Sequence, residues 1–124
     1  MTGPATPRIV LSAVDDIFFA AKIEAAAKRA GIHLIQAFDA GQLSEKLAAN
    51  TPELIILDLN SRVCTPLDAI PRIKADPKFK DTAVLGFFSH VQVELEQAAY
   101  RAGCDYVVPR SRFSAQLPEI LHGQ

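Results

Sequence analysis

The sequence alternates between short apolar runs and longer segments in which apolar residues recur every third or fourth position. A short apolar run predicts a strand, and the spaced positions predict one buried face of a helix. The run at residues 54–57 contains only Leu and Ile, which is typical of a strand buried on both faces of a parallel sheet. The predicted strands are residues 9–14, 32–36, 54–58, 83–88 and 106–108.

A predicted helix follows each strand. The apolar positions expected to face the core are Phe19, Ile23, Ala27, Leu43, Leu47, Leu67, Ile70, Ile73, Leu95, Ala98, Ala99, Phe113, Leu117 and Leu121. The predicted N-terminal caps are Asp39, Thr65 and Ser111. The predicted C-terminal stops are Gly31 and Gly103. Pro71 and Pro118 lie inside predicted helices and are expected to kink or weaken them, and residues 76–81 are predicted to form a loop.

Five successive pairs of strand and helix predict an α/β fold with a parallel sheet between two layers of helices. Because crossovers are right-handed, few strand orders remain possible. We therefore expect a three-layer α/β/α sandwich whose five-stranded parallel sheet has the order 2-1-3-4-5, so that the ends of strands 1 and 3 lie side by side. Residues 1–7 are expected to form a flexible lead-in, and residues 8–124 a single domain.

Composition narrows the range of partners. A net charge of -1 gives no electrostatic reason to expect binding to nucleic acid or to an anionic membrane. The sequence has neither a signal peptide pattern nor an apolar segment of the roughly 20 residues that span a membrane. Cys64 and Cys104 form no CxxC pair and no metal-binding spacing with the histidines. The sequence therefore predicts a soluble cytoplasmic protein that binds another protein or a small ligand.

Polar residues follow four of the predicted strands. They are Asp15 and Asp16 after the first strand, Asp58 at the end of the third, Ser89 after the fourth and Arg110 after the fifth. Each alone is also typical of a turn or a helix cap. In a parallel sheet, however, the carboxyl ends of the strands lie at one edge, so these residues are expected to converge there.

Carboxylates gathered at one point repel one another unless a cation or a proton compensates them. Mg²⁺ is the expected cation, because it takes oxygen ligands and retains several waters. An aspartate beside Mg²⁺ can attack phosphorus and form an acyl phosphate. In that case Ser89 and Arg110 are expected to hold the oxygens of the phosphoryl group on Asp58.

From residue 8 to residue 121 the sequence resembles a response-regulator receiver domain, the CheY-like phosphoacceptor module of two-component signalling. The most specific match is the segment 52–60, Pro-Glu-Leu-Ile-Ile-Leu-Asp-Leu-Asn. The resemblance implies that Asp58 is the phosphoacceptor and that Ser89 and Arg110 stand at the family's Thr/Ser and Lys positions. It also implies a Mg²⁺ site. The implied ligands are Asp15, Asp16, Asp58 and the backbone carbonyl of Asn60.

The sequence departs from the receiver pattern at four points, one of which is the loop after Asp58, where the family usually has a Pro and a Gly and this chain has Arg62 and Pro66. Receivers end the first strand on two adjacent acids, where this chain has Val14 and Asp15, so that Asp16 is the available substitute for the second acid. Arg110 replaces a lysine, and its planar fork differs from the point charge of an ammonium group. Val107 occupies the position at which the family carries an aromatic switch residue, with Tyr106 one place before it.

The leading hypothesis is therefore a receiver domain without an attached output domain, which acts as a signalling phosphoacceptor and not as an enzyme. The resemblance implies a histidine kinase or phosphotransfer protein as the donor. It also implies a downstream protein bound by helix 4, strand 5 and helix 5, including Tyr106 and Phe113. The alternative is a receiver-like module that binds its partner without phosphorylation. A flavodoxin-like redox protein is a third class, but the first turn lacks a Gly/Ser/Thr-rich phosphate loop and the chain has no Trp.

Overall fold

The computed structural model describes residues 8–89 and 92–123. Within them five parallel strands form one sheet in the order β2-β1-β3-β4-β5, which confirms the predicted fold class and strand order. The strands are β1 (Ile9–Ala13), β2 (His33–Ala37), β3 (Leu54–Asp58), β4 (Ala83–Phe88) and β5 (Tyr106–Pro109). The predicted lead-in at residues 1–7 lies outside the described residues, as do residues 90 and 91 in the loop after β4.

Helices cover both faces of this sheet. They are α1 (Ile17–Ala30), α2 (Ala40–Ala49), α3 (Pro66–Ala75), α4 (Val93–Ala102), α5 (Arg110–Ala115) and α6 (Leu117–His122). One buried cluster joins the sheet to α2, α3 and α4. The other joins it to α1, α5 and α6, where Phe19, Phe87 and Phe113 pack together. The sheet is thus the middle layer of a sandwich, and its centre, β3, is buried throughout.

The register of the strands brings their carboxyl ends to one edge. Ala13 of β1 is paired with Leu57 of β3, so Asp58 stands one residue beyond the end of β1. Asp58 in turn is the partner of Phe87, next to the last residue of β4. Phe88 is paired with Pro109, which ends β5. The loops that follow β1, β3 and β4, and the start of the helix that follows β5, therefore surround the same edge.

Several predicted helix ends are confirmed. The side chain of Asp39 accepts a hydrogen bond from the backbone N–H of Gln42 and so caps α2. Gly31 and Gly103 end α1 and α4 in the left-handed conformation, which costs glycine little because it has no Cβ.

Other local predictions are wrong. Thr65 precedes α3, but it has φ 43° and its side chain makes no capping hydrogen bond. Ser111 lies inside α5, which already begins at Arg110, and so it does not cap the helix. The single last helix predicted by the sequence is two helices, which meet at Gln116. The segment predicted as a loop after α3 contains a short 3₁₀ helix, Pro77–Phe79.

The cysteines and the length of the helices complete the description of the fold. Cys64 and Cys104 are free and buried, and burial raises the pKa of the Cys104 thiol to about 11, so that it is neutral at physiological pH. Among the described residues, no helix combines the length and the apolar character needed to cross a membrane.

Candidate functional site at the carboxyl edge of the sheet

Asp58 ends the central strand and is only 7% exposed. Its Oδ1 accepts a hydrogen bond from the backbone N–H of Asn60 at 3.0 Å, and its carbonyl accepts one from the N–H of Ser61 at 3.1 Å. Burial raises the pKa of this carboxyl group, and the charges of Asp15 and Asp16 add to that increase, whereas the Asn60 N–H and the charge of Arg110 oppose it. The predicted phosphoacceptor is therefore a desolvated carboxylate at the carboxyl edge of the sheet, close enough to Asp15, Asp16 and Arg110 for their charges to affect its pKa.

Asp15 is exposed in the loop after β1. Its Oδ2 accepts a hydrogen bond of 2.9 Å from the hydroxyl of Ser61, which is itself buried and accepts a hydrogen bond from the backbone N–H of Cys64. Ser61 therefore connects Asp15 to the loop that follows Asp58. Ser61 could not be predicted from the sequence, because a serine in a polar loop has no distinguishing pattern around it.

Asp16 has a different environment from Asp15. Its Oδ1 accepts hydrogen bonds from the backbone N–H groups of Phe18 and Phe19, at 3.0 and 3.2 Å, and so caps the N-terminus of α1. Its Oδ2 accepts a hydrogen bond from Nη2 of Arg110 at 3.2 Å. The Phe19 N–H and then Arg110 hold the pKa of the Asp16 carboxyl below its usual value. Both carboxylate oxygens of Asp16 are thus already bound by groups of the protein.

Arg110 begins α5 directly after β5. Its guanidinium carbon lies 3.9 Å from the centroid of the Phe19 ring, in addition to the hydrogen bond to Asp16. The charge of Arg110 acts on Asp58, but its guanidinium donates a hydrogen bond to Asp16. The predicted role of Arg110 as a ligand of phosphoryl oxygens stays a prediction.

Ser89 and Asn60 connect the loops after β4 and β3. The backbone N–H of Ser89 donates to Oδ1 of Asn60 at 2.8 Å, and Nδ2 of Asn60 donates to Oε1 of Gln92 at 2.7 Å. The amide of Asn60 therefore bridges both ends of the β4–α4 loop. Gln92 was also missed by the sequence analysis, because nothing in its neighbourhood distinguishes it from a surface glutamine.

A divalent cation at this edge was expected to take oxygens from three aspartates. Among residues 8–89 and 92–123, however, no three His, Cys, Asp or Glu side chains are grouped so that they could hold a metal ion. Asp15 and Asp58 fit a cation site by their donor chemistry, since Mg²⁺ commonly uses one or two carboxylates and fills the remaining positions with water. Asp16 does not fit, because its oxygens bind the helix N-terminus and Arg110. The Mg²⁺ site stays a prediction that now rests on Asp15, Asp58 and the Asn60 carbonyl.

The raised pKa of Asp58 predicts a pH-dependent cost in stability. The folded state holds the Asp58 proton to a higher pH than the unfolded state, so ionisation above the ordinary value of 3.8 destabilises the fold. We expect Asp58→Asn to be more stable than the unaltered protein at pH 7, by about 1 kcal/mol, as is common when an unfavourable functional group is replaced. Urea unfolding in the presence of a chelator, from pH 3.5 to pH 8, measures this difference. An advantage that fails to shrink toward pH 3.5 would contradict the assignment.

Neither a family model nor a curated protein matches this sequence. Solved structures with the same fold are nevertheless similar over almost the whole chain. The chemotaxis response regulator CheY4 of Vibrio cholerae is 20% identical with a TM-score of 0.83, covering 95% of this chain and 98% of that chain. The receiver domain of a response regulator from Bermanella marisrubri is 23% identical with a TM-score of 0.81, with 95% and 98% covered.

A third structure is the phosphorylated cyanobacterial phytochrome response regulator RcpA. It is 20% identical with a TM-score of 0.78, covering 95% of this chain and 91% of that chain. The protein therefore has the fold of CheY-like response-regulator receiver domains, as the sequence resemblance implied.

Proposed function

We propose that the protein is a receiver-type signalling domain that accepts a phosphoryl group on Asp58 and transmits the signal through protein contacts. The observation that carries this proposal is the position of Asp58, desolvated at the carboxyl end of the central strand of a receiver fold. A residue with a purely structural role has little reason to be an acidic group whose burial raises its pKa at this point.

The proposed reaction is a phosphoryl transfer from a phosphohistidine of a histidine kinase or phosphotransfer protein. A carboxylate oxygen of Asp58 forms a bond to phosphorus, the bond from phosphorus to the imidazole nitrogen breaks, and the imidazole leaves with the electron pair. Asp58 must be ionised to attack, and the burial that raises its pKa opposes that ionisation. Asp15, Asp58 and the Asn60 carbonyl would hold a Mg²⁺ ion, which would supply positive charge next to the transferring group.

Ser89 and Arg110 are the proposed ligands of the new phosphoryl oxygens. Both follow strands that end at the edge where Asp58 lies. For Arg110 this role requires an exchange of partners, because its guanidinium is hydrogen-bonded to Asp16. A phosphoryl group, with more negative charge than one carboxylate, is a strong competitor for that guanidinium.

The proposed output is a contact with a downstream protein through the face formed by α4, β5 and α5. Three large apolar or aromatic side chains are exposed on α4 and β5. They are Val93, Tyr100 and Tyr106, with 58%, 50% and 57% of their surface accessible. Phe113, which the sequence analysis included in this face, is fully buried and so cannot contact a partner directly.

Incubation with a small-molecule phosphodonor and Mg²⁺, read by intact mass spectrometry, tests the phosphoacceptor. We expect the unaltered protein to gain the mass of one phosphoryl group and Asp58→Asn to gain none. Asp68→Asn is a matched control, since Asp68 is an exposed acid on α3 and its replacement should leave the gain unchanged. The proposal fails if the unaltered protein is not modified, or if Asp58→Asn is modified to the same extent.

The second candidate is a receiver-like module that binds its partner without phosphorylation. The pairing of Asp16 with Arg110 favours it, since this pair removes one acid and one cation from the phosphoryl chemistry expected of the site. Under this alternative the phosphodonor leaves the mass unchanged, and Asp58→Asn captures the same binding partner with the same affinity as the unaltered protein.

A further inference from the structure

We propose that Asp16 and Phe19 are positioning residues that hold the Arg110 guanidinium at the acidic edge, where it weakens the binding of a divalent cation by Asp15 and Asp58. This inference rests on the cation site of the proposed function. It assigns to Asp16 a role opposite to that of a metal ligand.

Both oxygens of the Asp16 carboxylate are held by hydrogen bonds within the protein. Its Oδ1 is fixed by two backbone N–H groups of the first turn of α1, at 3.0 and 3.2 Å. These two bonds orient the carboxylate, so that Oδ2 faces Arg110. A carboxylate that caps a helix and pairs with a guanidinium would lose both interactions if it turned to bind a cation.

The ring of Phe19 contacts the Arg110 guanidinium and is its second restraint, after the hydrogen bond to Asp16. The ring is 6% exposed and packs against the rings of Phe87 and Phe113, with centroid distances of 5.2 and 5.8 Å. It therefore has little freedom to move. The guanidinium lies 3.9 Å above this ring and is hydrogen-bonded to Asp16 at its edge, so that both contacts restrain it.

The positive charge of Arg110 opposes the binding of a divalent cation at this edge. The groups described at this edge are the carboxylates of Asp15, Asp16 and Asp58 and the guanidinium of Arg110. The guanidinium already offsets part of the negative charge, and it repels a divalent ion placed between Asp15 and Asp58. Because the guanidinium is restrained, it cannot move aside without breaking the hydrogen bond and the ring contact together.

Calorimetric titration with Mg²⁺ alone tests the proposal, without any phosphodonor. We expect Arg110→Gln to bind Mg²⁺ about tenfold more tightly than the unaltered protein, the size expected from removing one nearby cation. Arg110→Lys, which keeps the charge but loses the planar stack, is expected to fall between the two. Asp15→Asn is expected to weaken binding by about tenfold or more, because it removes a ligand.

Asp16→Asn separates the positioning role from that of a ligand. Asparagine is a good N-terminal cap, so the helix start is preserved while the ion pair is lost. We expect Mg²⁺ affinity within about threefold of the unaltered protein, since a negative charge is lost while the guanidinium is released. In the Asp16→Asn background, Arg110→Gln is expected to increase the affinity by less than about threefold, which shows the coupling of the two residues.

Three outcomes overturn the inference. The first is a loss of affinity in Asp16→Asn as large as in Asp15→Asn, which makes Asp16 a ligand. The second is no increase in affinity in Arg110→Gln, and the third is no Mg²⁺ binding by any variant. The proposed phosphoacceptor is tested separately by the mass measurement, so that Mg²⁺ binding with the expected pattern and no phosphorylation would sink that proposal while leaving this one.

Discussion

Replacement of Phe113 by alanine is expected to lower the free energy of unfolding by about 3–5 kcal/mol. The Phe113 ring is fully buried, and it stacks on Phe87 with a centroid distance of 4.8 Å and an angle of 13° between the rings. Removal leaves a cavity between α1, α5 and the sheet that the neighbouring rings cannot fill. Domains of this size are stable by about 5–15 kcal/mol, so the loss is a large fraction of the total. Urea unfolding followed by circular dichroism measures it.

Phe18→Ala is the matched control, because it removes the same side chain from a position that is 84% exposed. Its expected effect is within about 0.5 kcal/mol of zero. If the two variants differ by less than about 1 kcal/mol, the aromatic cluster does not stabilise the protein as described. Because α5 and α6 are short, the experiment also tests whether their attachment to the sheet depends on Phe113.

The sheet could be predicted from the sequence because its signals are local and repeated. Each strand contains a short group of apolar residues, and Gly31 and Gly103 end helices where a left-handed residue is needed. Right-handed crossovers left few possible strand orders, and 2-1-3-4-5 was the economical one among them, without any knowledge of side-chain contacts. Residues 54–57 were identified as the central strand since only burial on both faces allows so uniform an apolar run.

The last helix shows where local patterns are insufficient. Phe113, Leu117 and Leu121 are all buried, as their spacing predicted, but two helices supply them. Pro118 has no N–H to donate to the carbonyl of Ser114, and its ring would clash with that carbonyl in a continuous helix. The chain therefore breaks at Gln116, and Pro118 lies in the first turn of the next helix, where a missing N–H has no cost.

The residues of the edge could be located from sequence, but their partners could not. Asp15 and Asp16 are adjacent and both follow a strand, so no sequence pattern separates the exposed acid from the helix cap. The bond that distinguishes them joins Asp16 to Arg110, which is 94 residues away. Ser61 and Gln92 escaped notice for the same reason, since their roles depend on contacts between distant loops.

The position of the central strand could thus be predicted from the sequence, whereas the side-chain pairs at its charged edge could not. The interior of β3 is defined by apolar packing, which tolerates few alternatives. At the edge, one acid is buried, one is hydrogen-bonded to a loop and one is paired with a guanidinium. The chemistry of this edge therefore depends on which polar partner each acid has. The departures from the receiver pattern at Asp16 and Arg110 lie at this edge.

Gly86→Ala is expected to destabilise the protein by about 1–3 kcal/mol, through overpacking against the residue that follows Asp58. A Cβ at Gly86 would lie 2.8 Å from three carbon atoms of the Leu59 side chain, which is 5% exposed and so has no free space to enter. Strand propensity favours alanine over glycine only slightly, so steric conflict decides the sign. Thermal unfolding and urea unfolding of the variant measure the loss.

A double variant identifies the cause. Leu59→Ala alone is expected to cost about 2–5 kcal/mol, because it leaves a cavity above β4. If the two side chains conflict, the combination of Gly86→Ala with Leu59→Ala costs less than the sum of the single changes, by about 1–2 kcal/mol. Gly41→Ala is the control for glycine replacement, since a Cβ there meets its nearest neighbour, Oδ1 of Asp39, only at 3.4 Å, and a helical alanine is favourable by about 0.5–1 kcal/mol. Strictly additive costs in the double variant would show that Gly86 is required for another reason than the proximity of Leu59.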